Sequence, residues 1–274
     1  MQGKIIKNIS NLYGVLVGDK VYDCKPRGKF RNLNITPLVG DEVIIDEKNN
    51  YILDILPRKN ELNRPYIANV DIALILTSLK TPELSLYLLD KQITFLVLHN
   101  IKPVIVFSKL DLANEELLNN VNELSKYYES IGIEVFYNNE LDELKKFLKG
   151  KEVVITGQTG AGKSTLINKL GGLNIKTNDI SYALGRGKHT TRHVEIYNFD
   201  GINIADTPGF SALDIIGYSQ EEIRDAFFEF SESDCKFKDC MHNKEKECSV
   251  KDKVEKKSIL KSRYDDYIRI ISEV

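Results

Sequence analysis

The stretch GQTGAGKS, at residues 157–164, decides the fold class. It fits the pattern G-x-x-x-x-G-K-[ST], in which a glycine loop joins a strand to a helix and wraps its backbone N–H groups around phosphates. The run Glu152–Thr156 in front of it has the composition of a strand. We expect a helix to begin at Lys163 and to direct its positive end at the phosphates. This context argues against a chance match on a glycine turn.

The chemistry of such a loop assigns roles to its last two residues. Lys163 should reach the β- and γ-phosphates, and the Ser164 hydroxyl should ligate Mg²⁺. Downstream, Asp206-Thr207-Pro208-Gly209 forms a D-x-x-G element after the predicted strands His193–Phe199 and Ile202–Ala205. We expect Asp206 to hold Mg²⁺ through water and the N–H of Gly209 to sense the γ-phosphate.

A third element lies upstream of the glycine loop. Residues 108–111 read SKLD, close to the N-K-x-D element that recognises guanine. Asp111 would accept hydrogen bonds from N1–H and N2–H of the base, and Lys109 would lay its alkyl stem over the ring. Ser108 replaces the usual Asn and offers no amide donor. Because an ordinary GTPase carries this element last, the motif order predicts a circularly permuted nucleotide domain.

Between the loop and Asp206 lies a glycine-rich basic segment, GRGKHTTRH, at residues 185–193. Thr190 or Thr191 could ligate Mg²⁺, and His189 or His193 could orient the hydrolytic water, although a lone histidine is more often structural. We therefore predict His189, His193 and Lys163 as catalytic residues. The predicted nucleotide-binding residues are Ser108, Lys109, Leu110, Asp111, Gly157, Gln158, Thr159, Gly160, Ala161, Gly162, Lys163, Ser164, Thr165, Thr190, Thr191, Asp206 and Gly209.

Strand and helix patterns alternate from Asn69 onwards. This alternation predicts an α/β domain with a mostly parallel, doubly wound sheet, whose ligands bind at the carboxyl ends of the strands. The S-K-L-D element, the glycine loop and the D-x-x-G element each lie at such an end. The predicted elements before the glycine loop are Val70–Leu76, Leu84–Leu98, Pro103–Phe107, Glu115–Tyr128, Ile133–Phe136, Leu141–Leu148 and Glu152–Thr156.

The first 64 or so residues have the pattern of a small all-β domain. Five short β-branched runs separated by Gly, Asn and Asp fit a closed barrel such as an OB-fold, a common binder of nucleic acid. The loop KPRGKFR at residues 25–31 could contact RNA phosphates, or it could be an ordinary solvated loop. Cys24 stands alone and is better explained as a small buried side chain than as a metal ligand.

Near the end of the chain, Cys235, Cys240, His242 and Cys248 form a cluster in a polar, lysine-rich surrounding. Three thiolates and an imidazole suit a closed tetrahedral structural zinc site, and so short a polar segment would need the metal to fold. Buried core cysteines would require an apolar surrounding instead. Residues 254–274 then have the pattern of a basic amphipathic helix with Tyr264, Tyr267, Ile268 and Ile271 on one face.

Composition limits the alternatives. The chain has 274 residues, of which 42% are hydrophobic and 28% charged, as in a soluble globular protein. It contains no apolar run long enough for a membrane span, and its start shows no signal peptide, so we expect a cytoplasmic protein. The net charge of −2 combines an acidic middle with two mildly basic ends. Such ends are compatible with a polyanionic partner, although ordinary scatter would explain them as well.

Taken together, these features resemble those of the bacterial RsgA (YjeQ) family of small-ribosomal-subunit-dependent GTPases. The shared features are the β-barrel, the permuted motif order, GRGKHTT, DTPGF and the Cys-x4-Cys-x-His-x5-Cys pattern. The resemblance implies an OB-fold over residues 1–66, a permuted P-loop GTPase domain over 67–218 and a zinc-binding domain with a C-terminal helix over 219–274. It also implies subunit-stimulated GTP hydrolysis during late maturation of the small ribosomal subunit, and binding to its rRNA.

We therefore predict a Mg²⁺-dependent GTPase that binds GTP and GDP. We also expect it to hold one structural Zn²⁺ and to be a monomer. Two alternatives remain open. One is an RNA-binding module that nucleotide merely stabilises; the intact Lys163, Ser164 and Asp206 argue against it. The other is an ATP-using enzyme acting on a small molecule; Asp111 argues against this, as does the lack of a further acid/base constellation.

Overall fold

The computed structural model describes residues 1–172, 194–206 (of Asp206, the main chain only), 214–231 and 233–274. The strands are β1 (Gln2–Ile9), β2 (Leu12–Val17), β3 (Lys20–Pro26), β4 (Glu42–Asp46), β5 (Tyr51–Ile55), β6 (Glu61–Asn63), β7 (Tyr66–Ala68), β8 (Ile72–Ser78), β9 (Lys102–Ser108), β10 (Glu134–Tyr137), β11 (Glu152–Thr156), β12 (Glu195–Phe199) and β13 (Ile202–Asp206). The helices are α1 (Lys29–Asn32), α2 (Leu86–Leu98), α3 (Glu115–Ser130), α4 (Leu141–Leu148), α5 (Lys163–Gly171), α6 (Gln220–Ala226), α7 (Ser249–Glu255) and α8 (Lys261–Ser272).

The chain divides into two compact units that are not contiguous in sequence. The first contains Met1–Leu74, Asn138–Gly157 and Gly162–Ser211. The second contains Ile75–Tyr137, Gln158–Ala161 and Ala212–Val274. The predicted three-domain division, at residues 66 and 218, stays a prediction.

In the first unit, β1 to β5 close into a barrel. The strand order is β1-β2-β3-β5-β4, and β4 pairs back onto β1 in antiparallel register. Alternation places the side chains of Ile5, Val15, Val43 and Ile52 inside, where each is fully buried. Cys24 lies among them as a buried free thiol, as predicted. The predicted five-stranded barrel is therefore confirmed.

The same unit contains a small sheet behind the glycine loop. Strand β11 pairs in parallel with β13, and β13 pairs in antiparallel register with β12. Strand β12 also pairs with the barrel strand β1, at Glu195 opposite Lys7. An ion pair between Lys4 and Glu152 reinforces this junction. The barrel is thus joined by strand pairing to the sheet that carries the nucleotide motifs, a connection that periodicity does not predict.

In the second unit, β9 lies between β10 and β8, and its pairing with β10 is parallel. Helices α2, α3, α6 and α8 contribute buried faces; Leu89, Ile93 and Leu96 of α2 are almost fully buried. No helix within the described part of the chain is long and apolar enough to cross a bilayer.

The C-terminal helix differs from its prediction. A single helix over 254–274 was expected, but α7 ends at Glu255 and α8 begins at Lys261. The break has a local cause: Lys257 adopts a left-handed backbone conformation with φ of 61°, which no α-helix continues. The buried Ile259 anchors the connection, and Tyr267 and Ile271 face the core from α8 as expected.

Candidate nucleotide site and metal centre

The glycine loop has the predicted geometry. Strand β11 ends at the fully buried Thr156, and α5 begins at Lys163. Gly160 and Gly162 have φ angles of 83° and 101°, in the left-handed region where a side chain would strain the backbone. The sequence therefore needs glycine at these two positions to turn the chain from strand to helix within so few residues.

Lys163 lies folded over the loop that precedes it. Its Nζ donates to the carbonyl oxygen of Gly157 at 2.6 Å. Burial lowers the pKa of this ammonium, because the charged form loses water. A half-buried cation beside a run of backbone N–H groups favours an anion, as a phosphate site requires.

The D-x-x-G element begins beside the glycine loop. Val154 of β11 lies opposite Ala205 of the parallel strand β13. Both strands therefore end at the same edge, with Thr156 leading into the loop and the main chain of Asp206 closing β13. This is the edge at which an α/β sheet binds its ligand. The residues His189, Thr190, Thr191, His193 and Gly209 lie outside the described residues.

The upstream element S-K-L-D closes strand β9 as predicted. Asp111 is exposed in a short 3₁₀ turn, Leu110–Leu112, and is thus accessible to a base. Lys109 is held in a left-handed conformation with φ of 60°, and its ammonium contacts the carbonyl oxygen of Thr81. The structure therefore presents Asp111 on a tight turn rather than within a regular element.

The permuted element is also in direct contact with the glycine loop. Ser108 is buried, and its hydroxyl donates to the carbonyl oxygen of Ala161 at 2.8 Å. The two residues are far apart in the sequence, so no local pattern indicated the bond. The contact brings the proposed base-reading and phosphate-binding segments together.

A second cluster of functional side chains lies near the C-terminus. The ligand atoms of Cys235, Cys240, His242 and Cys248 all lie within 4.8 Å of one another, and all but Cys235 are buried. Sγ of Cys248 lies 3.9 Å from Sγ of both Cys235 and Cys240, and 3.3 Å from Nδ1 of His242. Ligands about 2.3 Å from a tetrahedral ion are separated by about 3.8 Å. These four residues can therefore hold a metal ion.

Protonation equilibria in the cluster follow from its burial. Burial raises the pKa of Cys240 to about 12, and also raises the pKa of Cys248. The pKa of His242 is lowered by burial and then by the nearby cation of Arg224, so the imidazole is neutral at pH 7. A bound cation would reverse the penalty that burial places on the thiolates, since it supplies a positive charge beside the thiolate sulfurs.

Residues outside the cluster hold its loop in place. The hydroxyls of Tyr264 and Tyr267 on α8 donate to the carbonyl oxygens of His242 and Met241, at 2.7 and 2.6 Å. The ring of Phe230 packs edge-on against the His242 ring, with centroids 5.4 Å apart. The helical spacing predicts both tyrosines on an apolar face, but it does not predict their polar contacts. These hydrogen bonds join a loop to a helix more than twenty residues away, so no local sequence pattern indicates them.

The fold, the glycine loop and the motif order together define a circularly permuted GTPase that carries an N-terminal barrel and a Cys/His metal module. The chain belongs to the RsgA GTPase family: the model described as RsgA GTPase matches residues 55–216, and that of the RsgA N-terminal domain matches residues 2–52. The resemblance inferred from the motifs is therefore confirmed, and with it the class of enzyme, a GTP hydrolase.

Individual relatives are similar over almost their whole length. The small ribosomal subunit biogenesis GTPase RsgA of Enterococcus faecalis is 43% identical, over 100% of this chain and 95% of its own. RsgA 1 of Listeria monocytogenes is 44% identical, over 100% and 97%. YjeQ from Thermotoga maritima superposes with a TM-score of 0.86 at 35% identity, over 99% and 97%. YloQ, itself described as a circularly permuted GTPase, gives 0.83 at 34% identity, over 99% and 94%.

Proposed function

We propose that this GTPase binds the small ribosomal subunit, acts in its late maturation, and hydrolyses GTP to GDP and phosphate faster when the subunit is bound. The observation that carries the proposal is the half-buried Lys163 on a glycine loop at a sheet edge, in a chain similar over its full length to proteins named as small ribosomal subunit biogenesis GTPases. The barrel, of a type that often binds nucleic acid, supports contact with rRNA.

Residue roles in the proposed reaction follow from the positions of the motifs. Residues 157–165 would bind the phosphates, Lys163 would stabilise charge on the β- and γ-phosphates, and Asp111 would read guanine. Ser164 and Asp206 provide oxygen ligands of the kind that Mg²⁺ prefers. Bound with GTP, Mg²⁺ would neutralise charge on the two terminal phosphates. Thr190, Thr191 and Gly209 would complete the γ-phosphate contacts, and His189 or His193 would orient water.

The metal of the C-terminal cluster would be Zn²⁺. A Cys₃His donor set in which Sγ of Cys248 lies 3.9 Å from both other sulfurs fits a closed tetrahedral site, the common structural arrangement for zinc. We further propose domains over 1–66, 67–218 and 219–274, with a cytoplasmic, monomeric protein. The ligand spacing supports the assignment of zinc, and the similarity to the RsgA relatives supports the domain division.

The decisive experiment is GTP turnover measured with and without purified small ribosomal subunits. Stimulation by small subunits, but not by large ones, is expected. Lys163→Ala should abolish turnover, whereas Lys169→Ala, an exposed lysine later on α5, should leave it unchanged. Saturable GTP binding without turnover, with or without subunits, would instead indicate a nucleotide-stabilised RNA-binding module. Equal turnover of ATP would refute guanine recognition by Asp111.

A further inference from the structure

Ser108 occupies the position at which a guanine-reading element ordinarily carries an amide, yet its own hydrogen bonds are made to the protein backbone. The residue is 4% exposed. Its backbone carbonyl accepts from the N–H of Leu79 at 3.2 Å, and its hydroxyl donates to the carbonyl oxygen of Ala161 at 2.8 Å. The other acceptor in reach, the carbonyl of Thr77, is at 3.4 Å. A hydroxyl has one proton, and the shorter distance assigns it to Ala161.

The requirement for this bond comes from the shape of the glycine loop. A loop that turns its N–H groups towards phosphates turns carbonyl oxygens towards the protein. Ala161 is 1% exposed, so its carbonyl oxygen lies away from water and needs a donor from the protein. Gly160 and Gly162 on either side of it have positive φ angles, and these permissive neighbours leave the orientation of the Ala161 peptide weakly determined by the local sequence.

We propose that Ser108 is a positioning residue for phosphate binding: it fixes the glycine loop through Ala161 and does not contact the base. The inference rests on the proposed nucleotide site. It divides the S-K-L-D element into two functions. Asp111, exposed on its turn, reads the base, and Ser108, buried at the end of β9, holds the loop that binds the phosphates.

The test compares two isosteric replacements in the full-length protein. Ser108→Thr keeps the hydroxyl, whereas valine has the shape of threonine but lacks the hydroxyl. Both are β-branched residues suited to a strand end. Affinities for GDP and for 7-deaza-GDP, which lacks the N7 acceptor of the base, are measured for each. Ser130→Ala is the matched control, because its hydroxyl also donates to a backbone carbonyl, that of Tyr127 at 2.7 Å, at the end of α3.

Ser108→Val is expected to weaken the binding of both nucleotides by the same factor, about tenfold, because binding must then re-form the loop orientation that one buried hydrogen bond held. Ser108→Thr should restore affinity to within about twofold of the native protein by supplying the same donor. The ³¹P resonance of the β-phosphate of bound GDP should shift in Ser108→Val and return in Ser108→Thr. Ser130→Ala should change none of these quantities.

Two results would overturn the proposal. Native affinity in Ser108→Val would mean that the bond to Ala161 does not position the loop. A loss for GDP but not for 7-deaza-GDP would mean that the hydroxyl donates to N7 of the base. If neither valine nor threonine at this position allows folding, Ser108→Ala is measured with the same pair of nucleotides. If the native protein binds no guanine nucleotide, the proposed function itself is refuted. This outcome differs from the two that would refute only the role of Ser108.

Discussion

The guanidinium of Arg263, on α8, donates from Nη1 to Oδ1 of Asp90, on α2, at 2.8 Å, and both side chains are buried. Nε of Arg263 donates to Glu229 at 2.7 Å, and the hydroxyl of Tyr128 on α3 donates to Asp90 at 2.7 Å. One buried cation thus joins the C-terminal helix to α2, α3 and the turn before the metal cluster. The second unit is held together here by a polar network within its apolar core.

Removing this cation should be strongly destabilising. Arg263→Met leaves the carboxylates of Asp90 and Glu229 buried without their partner, a change that typically costs about 3–5 kcal/mol. The free energy of unfolding in urea, followed by far-UV circular dichroism, measures the loss. Lys261→Met is the control: it breaks an ion pair with Asp265 in which both side chains are exposed, worth at most about 1 kcal/mol. If both variants lose the same free energy of unfolding, the buried network contributes no more to stability than an exposed ion pair.

A carboxyl group beside this network should make stability depend on pH. Burial, together with a hydrogen bond to Asp90 and repulsion from it, raises the pKa of Asp266 to about 7. An unfolded chain has an aspartate pKa of about 3.9. Between about pH 4 and pH 7 the folded state therefore holds a proton that the unfolded state has lost, and this contribution to stability falls as pH rises.

Asp266→Asn removes that ionisation. The variant should gain stability relative to the native protein as pH rises from 4 to 8, in thermal unfolding measured across this range. Asp265→Asn, at the exposed neighbouring position, serves as the control for a surface carboxylate. A difference between Asp266→Asn and the native protein that stays constant over the range would contradict the shifted pKa.

The metal cluster should depend on each ligand. Cys240→Ser is expected to lower the metal content from about one ion per chain to near zero, since a hydroxyl does not replace a thiolate at a zinc site. Loss of the ion should unfold the local segment while guanine nucleotide still binds. Cys24→Ser, a buried thiol of the barrel, should leave the metal content unchanged. Elemental analysis measures the metal content of each variant. If the native protein, purified without chelators, contains no metal, the proposed site is refuted.

Guanine selectivity should depend on Asp111. Asp111→Asn should cost about 2–3 kcal/mol of GTP binding, as expected for the loss of a charged hydrogen-bond acceptor, and should weaken discrimination against other purines. Competition between labelled GTP and unlabelled purine nucleotides measures both effects. Asp142→Asn, at an exposed position on α4, provides the control. Native protein that binds ATP and GTP equally would rule out base reading at this position.

The sequence by itself determined the barrel, the glycine loop and the four residues that can hold a metal ion. Each depends on local chemistry: alternation in strands, glycines with positive φ, and ligands spaced for one ion. Motif order along the chain also revealed the permutation. The predicted strand Ile133–Phe136 differs from β10 by one residue at each end, because the bounds of a strand depend on where it pairs with its neighbour, here β9.

The tertiary structure alone decided how these parts are connected. The bond from Ser108 to Ala161, the buried pairing of Arg263 with Asp90, and the pairing of β12 with β1 all join residues far apart in the sequence. Such contacts form because a buried polar group must find a partner wherever packing places one, and no local periodicity records which partner that will be.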